Sequence, residues 1–398
     1  MTQAQSIGKK TVRDIEVAGK RVLLRADLNV PLQDGAVTDD TRIREAIPTI
    51  RYLLDHGAAV IVCSHLGRPN GVDESLSLAP VAGRLSNLLD IDVWFVADCV
   101  GPEAEAAVAV LKPGSALLLE NLRFHPGEEA NDPAFARELA SLADVFVDDA
   151  FGAAHRAHAS TEGVTHYLPA VAGLLMEKEV LYLSALVANP QRPFAAVIGG
   201  AKVSTKIRAI ENLLPKVDVL LLGGGMANTF LKASGVDVQG SKIEADQVAT
   251  AVRVLGEAKE RGINVGLPLD VVAAEEFSAD AHHRTTAATE VPPGYLIVDI
   301  GRKTVEAYAG ALAPARSVVW NGPMGVFEMP PYANGSFGIA RAIAALEAIT
   351  VVGGGETAAV VNECGLHDRY THVSTGGGAS LEMLEGRELP GVAALMDA

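Results

Sequence analysis

Aromatic side chains make up only 5% of these 398 residues, cysteine appears three times, and Lys+Arg number 33 against 49 Asp+Glu. The deficit of positive charge, a formal net charge of −16, excludes a chain built around nucleic acid or an anionic membrane, both of which reward a basic face. Phosphate ligands are not excluded, because a local group of Arg and Lys can make a positive cleft inside an acidic protein. Cys63, Cys99 and Cys364 are odd in number, widely spaced and set among apolar residues. That excludes a disulfide scaffold and points to buried thiols in a reducing compartment. No apolar, uncharged run reaches about 18 residues, and residues 1–19 hold no apolar signal core, so a soluble, cytoplasmic protein is expected. Neither G-x-x-x-x-G-K-S/T nor the H-R-D and D-F-G triplets occur, which disfavours a Walker-type NTPase and a protein kinase.

What is present is a rhythm. Short apolar runs at 21–25, 58–63, 93–96, 116–119, 145–147, 195–198, 217–222, 263–265, 296–298, 318–320 and 348–352 alternate with longer helical patterns. The alternation predicts an α/β fold of two Rossmann-like domains, each a mostly parallel sheet with helices on both faces. A chain of 398 residues is too long for one ordinary core. The helical stretch near 171–187 and the Pro190-Gln-Arg-Pro193 segment after it predict an interdomain helix and hinge over 171–193. It would join a domain at 1–170 to one at 194–380, leaving 381–398 as a tail that packs back on the first. Trp94 and Trp320 are read as core residues.

Three Gly-Gly-Gly runs, at 223–225, 353–355 and 376–378, each follow an apolar run. Glycine lets backbone N–H groups approach an anion with no Cβ in the way, and a helix N-terminus behind the turn adds partial positive charge. Lys202 and Lys206 follow a further strand and the Gly199-Gly200 turn, with Ser204 as candidate helix N-cap. Two ammonium groups at a helix N-terminus fit a strongly negative ligand, although a lysine pair elsewhere would read as solvated surface. Gly353-Gly-Gly-Glu-Thr-Ala358 formally satisfies the G-x-G-x-x-A dinucleotide fingerprint. No acid stands about 20 residues further on, so an NAD-dependent dehydrogenase loses support.

The first half carries side chains instead. Arg42, His65, Arg68, Arg123 and Arg156 fall in or beside loop-like stretches, several at predicted strand ends, where ligands of open α/β sheets bind. Each alone reads as a salt bridge or a capped loop residue. His155-x-x-His158 lacks a nearby third ligand for zinc, and Asp148-Asp149 fits loop capping or a hinge at least as well as acid/base chemistry. Two unlike anion sites, one of backbone and one of side chains, point to group transfer.

Taken in order, the motifs resemble the phosphoglycerate kinase family over essentially the whole chain. They are Arg25-Ala-Asp-Leu-Asn-Val-Pro31, Ser64-His-Leu-Gly-Arg-Pro69, Asp149-Ala-Phe-Gly-Ala-Ala-His-Arg-Ala-His158, Gly199-Gly-Ala-Lys-Val203, Gly223-Gly-Gly-Met226, Val319-Trp-Asn-Gly-Pro323 and His372-Val-Ser-Thr-Gly-Gly-Gly-Ala-Ser380. The resemblance implies reversible phosphoryl transfer between 1,3-bisphosphoglycerate and ADP, giving 3-phosphoglycerate and ATP. It assigns the phosphoglycerate to Asp27, Asn29, Arg42, His65, Arg68, Arg123 and Arg156. The nucleotide falls to Lys206, Gly223, Gly224, Gly225, Gly301, Asn321, Glu328, Gly353, Gly354, Gly355, Glu356 and Thr357. Arg42, Lys202 and Lys206 become the catalytic group, and Mg²⁺ meets Glu356 directly or through water. Three positions depart from the family pattern: Glu356 stands where Asp is usual, Asp148 where Asn is usual, and Asn228 where a larger apolar residue often appears.

Transfer to or from an already ionised oxygen needs no general base; it needs two anions aligned and the moving charge neutralised. Closure about 171–193 is expected to supply the alignment and expel water. A monomer acting on small molecules, without nucleic-acid or membrane partners, is expected. A binding module that kept the fold and lost the chemistry is the alternative, with Glu356 its one supporting residue.

Overall fold

The computed structural model describes residues 7–398. They divide into two compact units, the first running to Leu181 and regaining Glu388–Ala398, the second comprising Tyr182–Arg387. The division falls within the helix Leu174–Ala188.

The first unit is built on six parallel strands in the order Val93–Val96, Ala116–Leu119, Ala59–Cys63, Arg21–Arg25, Val145–Asp148, Ala170–Ala172. Central strands such as Ala59–Cys63 are buried at every residue, as expected where helices cover both faces of a parallel sheet. Val22, Leu24, Val60, Val62, Leu118 and Val147 form one core with Ile43 and Ile50 of the helix Thr41–Asp55. The C-terminal residues return to this unit, Gly391 N–H donating to the Ala154 carbonyl at 2.9 Å.

The second unit repeats the plan, with parallel strands in the order Asn264–Gly266, Val219–Leu222, Phe194–Ile198, Ser317–Asn321, Ile349–Gly353, His372–Val373. Trp320 is fully buried in its core with Val197 and Val318. A second sheet sits beside it, three antiparallel strands in the order His283–Ala287, Asp270–Ala274, Leu296–Ile300. The run at 296–298 therefore belongs to no parallel sheet. His283–Ala287 is mostly exposed, which an antiparallel sheet tolerates and a parallel one rarely does.

Trp94 is not a core residue. It is 44% exposed because its strand is the edge of the first sheet. Cys63 and Cys99 are buried and Cys364 half-buried, all as free thiols. Among the described residues no helix is long and apolar enough to cross a membrane.

Candidate active site

In the first unit the candidate side chains gather where four neighbouring strands end. Arg25 is the last residue of its strand, yet its side chain is 1% exposed. Its Nε donates to Ser160 Oγ at 2.8 Å, and its Nη2 lies 3.1 Å from His65 Nδ1. Since a guanidinium only donates, Nδ1 accepts and the ring proton sits on Nε2. Burial drives the His65 imidazole well below its ordinary range, reinforced by Arg25, Arg123 and Arg42, so it is a neutral hydrogen-bonding group.

Arg42 Nη1 donates to both oxygens of Asp27, at 3.0 and 2.9 Å. The Gly67 N–H donates to Asn29 Oδ1 at 2.9 Å, while Arg123 Nη1 donates to the Gly67 carbonyl at 2.6 Å, so one glycine ties Asn29 to Arg123. Arg156 Nε donates to His155 Nε2 at 3.2 Å, and Arg123 feels the charges of both Arg156 and Arg25. Arg68 is exposed on the same loop as His65. Beneath the cluster lies Glu128, fully buried and receiving hydrogen bonds from Ser160 N and Oγ at 2.9 and 2.6 Å. Burial raises its pKa, but His158, Arg25 and Ser160 outweigh that and hold the carboxyl below its usual range. Sequence reasoning passed over Arg25 and Glu128 as site residues: a charge at a strand end or in a surface-like helix carries no signal of burial.

Of the acidic pair, Asp149 is a capping residue. Its Oδ1 accepts the Leu175 and Met176 N–H groups at 2.8 and 3.1 Å, capping the helix Leu174–Ala188. Asp148 Oδ1 accepts from Ala150 N–H at 3.0 Å, and its Oδ2 is buried without a partner. Burial pushes Asp148 up to about 7 and Asp149 up to about 6.

In the second unit a cavity of about 540 Å³ is lined by Gly200, Gly224, Gly225, Asn228, Glu328 and Glu356, among others, together with the exposed Phe277. At Gly224 a glycine is demanded by backbone contact. Gly224 has φ +66°, and a Cβ there would fall 2.7 Å from the backbone nitrogen and oxygen of Gly200. Gly355, by contrast, opens the helix Gly355–Glu363, and a Cβ there would have nothing within 4 Å. Thr357 Oγ1 accepts from Gly322 N–H at 2.7 Å, fixing this turn to the strand end at Asn321.

Lys206 Nζ donates to Asn321 Oδ1. Burial draws its ammonium below the usual lysine range, against the opposite pull of Glu356 and Glu385. Asn321 Nδ2 is buried and has no partner. Lys202 is exposed. Ser204 caps no helix: its hydroxyl donates to Glu244 Oε1 at 2.5 Å, and the helix Ile207–Leu213 starts only after Lys206. Gly223 precedes the helix Gly224–Ala233, and a Cβ there would meet Met324 Sδ at 2.4 Å. At Gly353 and Gly354 a Cβ would fall 3.0 and 3.3 Å from Asn321 Nδ2. Gly301 does not line the cavity; it starts the helix Arg302–Leu312, where a Cβ would strike the Asp270 carboxylate at 2.3 Å. For a hard cation the donor set fits, because Mg²⁺ binds through one or two carboxylates plus ligand phosphates, and Glu356 is an exposed carboxylate on the cavity wall.

The family model for phosphoglycerate kinase matches residues 12–387. The phosphoglycerate kinase of Moorella thermoacetica is 60% identical over 392 residues, covering 98% of this chain and all of the relative. That of Chloroflexus aurantiacus is 59% identical over 399 residues with the same coverage. Among solved structures, the phosphoglycerate kinase of Coxiella burnetii aligns with a TM-score of 0.88 at 42% identity, covering 97% of this chain and 98% of that one. The Pyrococcus horikoshii enzyme aligns with a TM-score of 0.86 at 35% identity, with equal coverage.

Proposed function

The chain belongs to the phosphoglycerate kinase family, and from that premise we propose which residues carry its chemistry. The enzyme is a glycolytic kinase that moves a phosphoryl group reversibly between 1,3-bisphosphoglycerate and ADP. The observation that carries the assignment of roles is the contrast between the two sites. One is a side-chain cluster of arginines around a neutral His65; the other is a glycine-backbone cavity with Glu356 at its wall, whose charge reaches the half-buried Lys206.

In this reading Arg68, Arg123 and Arg156 hold the non-reacting phosphate, and Asp27, Asn29 and His65 orient the carboxyl and hydroxyl end. Arg42 turns from Asp27 to the transferring group. The acceptor oxygen is already ionised, so no residue has to remove a proton, and a neutral His65 suits orientation rather than base catalysis. Gly223, Gly224 and Gly225 line the nucleotide cleft, Glu328 holds the ribose hydroxyls, and Gly353–Thr357 cradles the phosphate tail with Asn321. Lys206 and Lys202 neutralise phosphate charge, the desolvated Lys206 the more strongly. Glu356 is the residue that would hold Mg²⁺, which supplies charge neutralisation when bound. Gly301 serves the fold at Asp270. The substrates are assigned to different units, so turnover depends on ligand-driven closure; scattering profiles that stay unchanged with both ligands present would refute that step. A cytoplasmic monomer acting on small molecules alone completes the proposal.

The deciding experiment is steady-state turnover of ATP, Mg²⁺ and 3-phosphoglycerate coupled to NADH consumption. Dependence on all three supports the reading. A folded protein that binds nucleotide calorimetrically but turns nothing over would instead be the binding module.

A further inference from the structure

A second cluster lies outside the site just described. The strands Val93–Val96 and Ala116–Leu119 are neighbours, paired in parallel with Val96 opposite Leu119. The segments that leave their carboxyl ends therefore run side by side, although they are separated in sequence. Asp98 and Cys99 come from one and His125 from the other, and a ligand atom of each lies within 4.8 Å of the other two. His125 Nε2 is 2.7 Å from Asp98 Oδ1, and the imidazole is stacked on Phe135 with 5.3 Å between ring centroids. The Cys99 N–H donates to the same Asp98 oxygen at 2.6 Å. Asp98 and His125 also line a cavity of about 250 Å³, room for water in a fourth position.

We propose that Asp98, Cys99 and His125 form a binding site for a borderline-soft divalent cation, Zn²⁺ in the first instance, with water completing a tetrahedron. The donor set decides the metal. Thiolate and imidazole beside one carboxylate suit Zn²⁺ and select against Mg²⁺, which takes oxygen ligands in an octahedron. Phe135 fixes the imidazole plane and the Cys99 N–H fixes the carboxylate, so two of the three ligands are oriented before any ion arrives. Binding releases the Cys99 thiol proton to solvent, while the His125 imidazole stays neutral with its one ring proton on Nδ1 as Nε2 turns from Asp98 to the metal; there is no change of oxidation state. The ordinary reading is a surface Asp–His pair beside a core thiol carried there by its chain neighbour Asp98; metal binding distinguishes the two.

The test is titration of the full chain with Zn²⁺ against a chromophoric chelator, in excess Mg²⁺. The expected result is one equivalent bound, with Cys99→Ser and His125→Gln each weakening it at least about tenfold. His166→Gln, which removes an exposed histidine paired with Glu162, should leave it unchanged. Co²⁺ bound at the site should show a thiolate charge-transfer band that Cys99→Ser abolishes. If Cys99→Ser does not fold, the half-exposed His125→Gln decides alone. Absence of a stoichiometric site, equal affinity in His125→Gln, or a Co²⁺ spectrum without thiolate character overturns the proposal.

Discussion

Arg25 Nη2 lies 3.1 Å from His65 Nδ1 while Arg25 Nε donates to Ser160, whose hydroxyl in turn donates to Glu128. One buried guanidinium thus connects a neutral ring to a buried carboxylate. Arg25→Met takes away one of the charges that hold the Glu128 carboxylate, leaving His158 and Ser160, and strips Ser160 and His65 of a buried charged donor, a loss of about 1–3 kcal/mol. Denaturant midpoints should show that loss, with part of it recovered in the double variant carrying Glu128→Gln. A single variant as stable as the parent would mean that the connection carries no energy.

Arg42 is only partly buried and held by Asp27, so its removal should leave the fold intact. Arg42→Ala is expected to lower kcat about 100-fold or more while KM for 3-phosphoglycerate rises less than about tenfold. Unchanged kcat would take Arg42 away from the transferring group.

Two glycine substitutions separate fold from ligand approach. Gly224→Ala forces a Cβ against the Gly200 backbone at positive φ and should lower the thermal midpoint by several degrees, as a strained, overpacked change of about 1–3 kcal/mol does. Gly355→Ala meets open space and should unfold at the parent temperature while raising KM for ATP. If its kinetics match the parent, phosphates do not approach that turn.

Asp148 makes stability depend on pH. Its carboxyl, pushed up to about 7 by burial, keeps a proton that the unfolded chain has already released at about pH 4. The folded state thus binds more protons across that window, and stability falls as pH rises through it, levelling off above about 7. Asp148→Asn removes the penalty and places an amide where Oδ2 has no partner. Its advantage should be near zero at about pH 4 and grow to roughly 2–4 kcal/mol above about pH 7. Parallel stability curves for the two proteins across this range would refute the assignment.

Glu356→Gln should raise the Mg²⁺ concentration for half-maximal turnover at least about tenfold while leaving KM for 3-phosphoglycerate unaltered. An unchanged metal requirement would move the ion to other ligands.

Much of the parallel architecture was legible because both faces of such a sheet are covered, so its strands are written as continuous apolar runs: 93–96 and 116–119 fall on strands of those bounds. The antiparallel trio was not, since His283–Ala287 is polar and exposed and reads like loop. Trp94 went wrong for a related reason: apolar character says that a residue can be buried, and only its place on an edge strand leaves it in water. At Ser204 a local capping rule lost to a longer-range partner, Glu244, forty residues on.

The alternation of elements, the family, and the residue types that stand at the strand ends follow from the amino-acid order alone, because they rest on periodicity and on short motifs whose chemistry is local. The protonation-sensitive facts came from the three-dimensional arrangement: that Arg25 and Glu128 are buried together, that His65 is neutral, that Asp148 holds its proton to about 7. Those depend on how much water the fold removes from each charge and which opposite charge it puts alongside, and neither quantity is a property of neighbours in the chain.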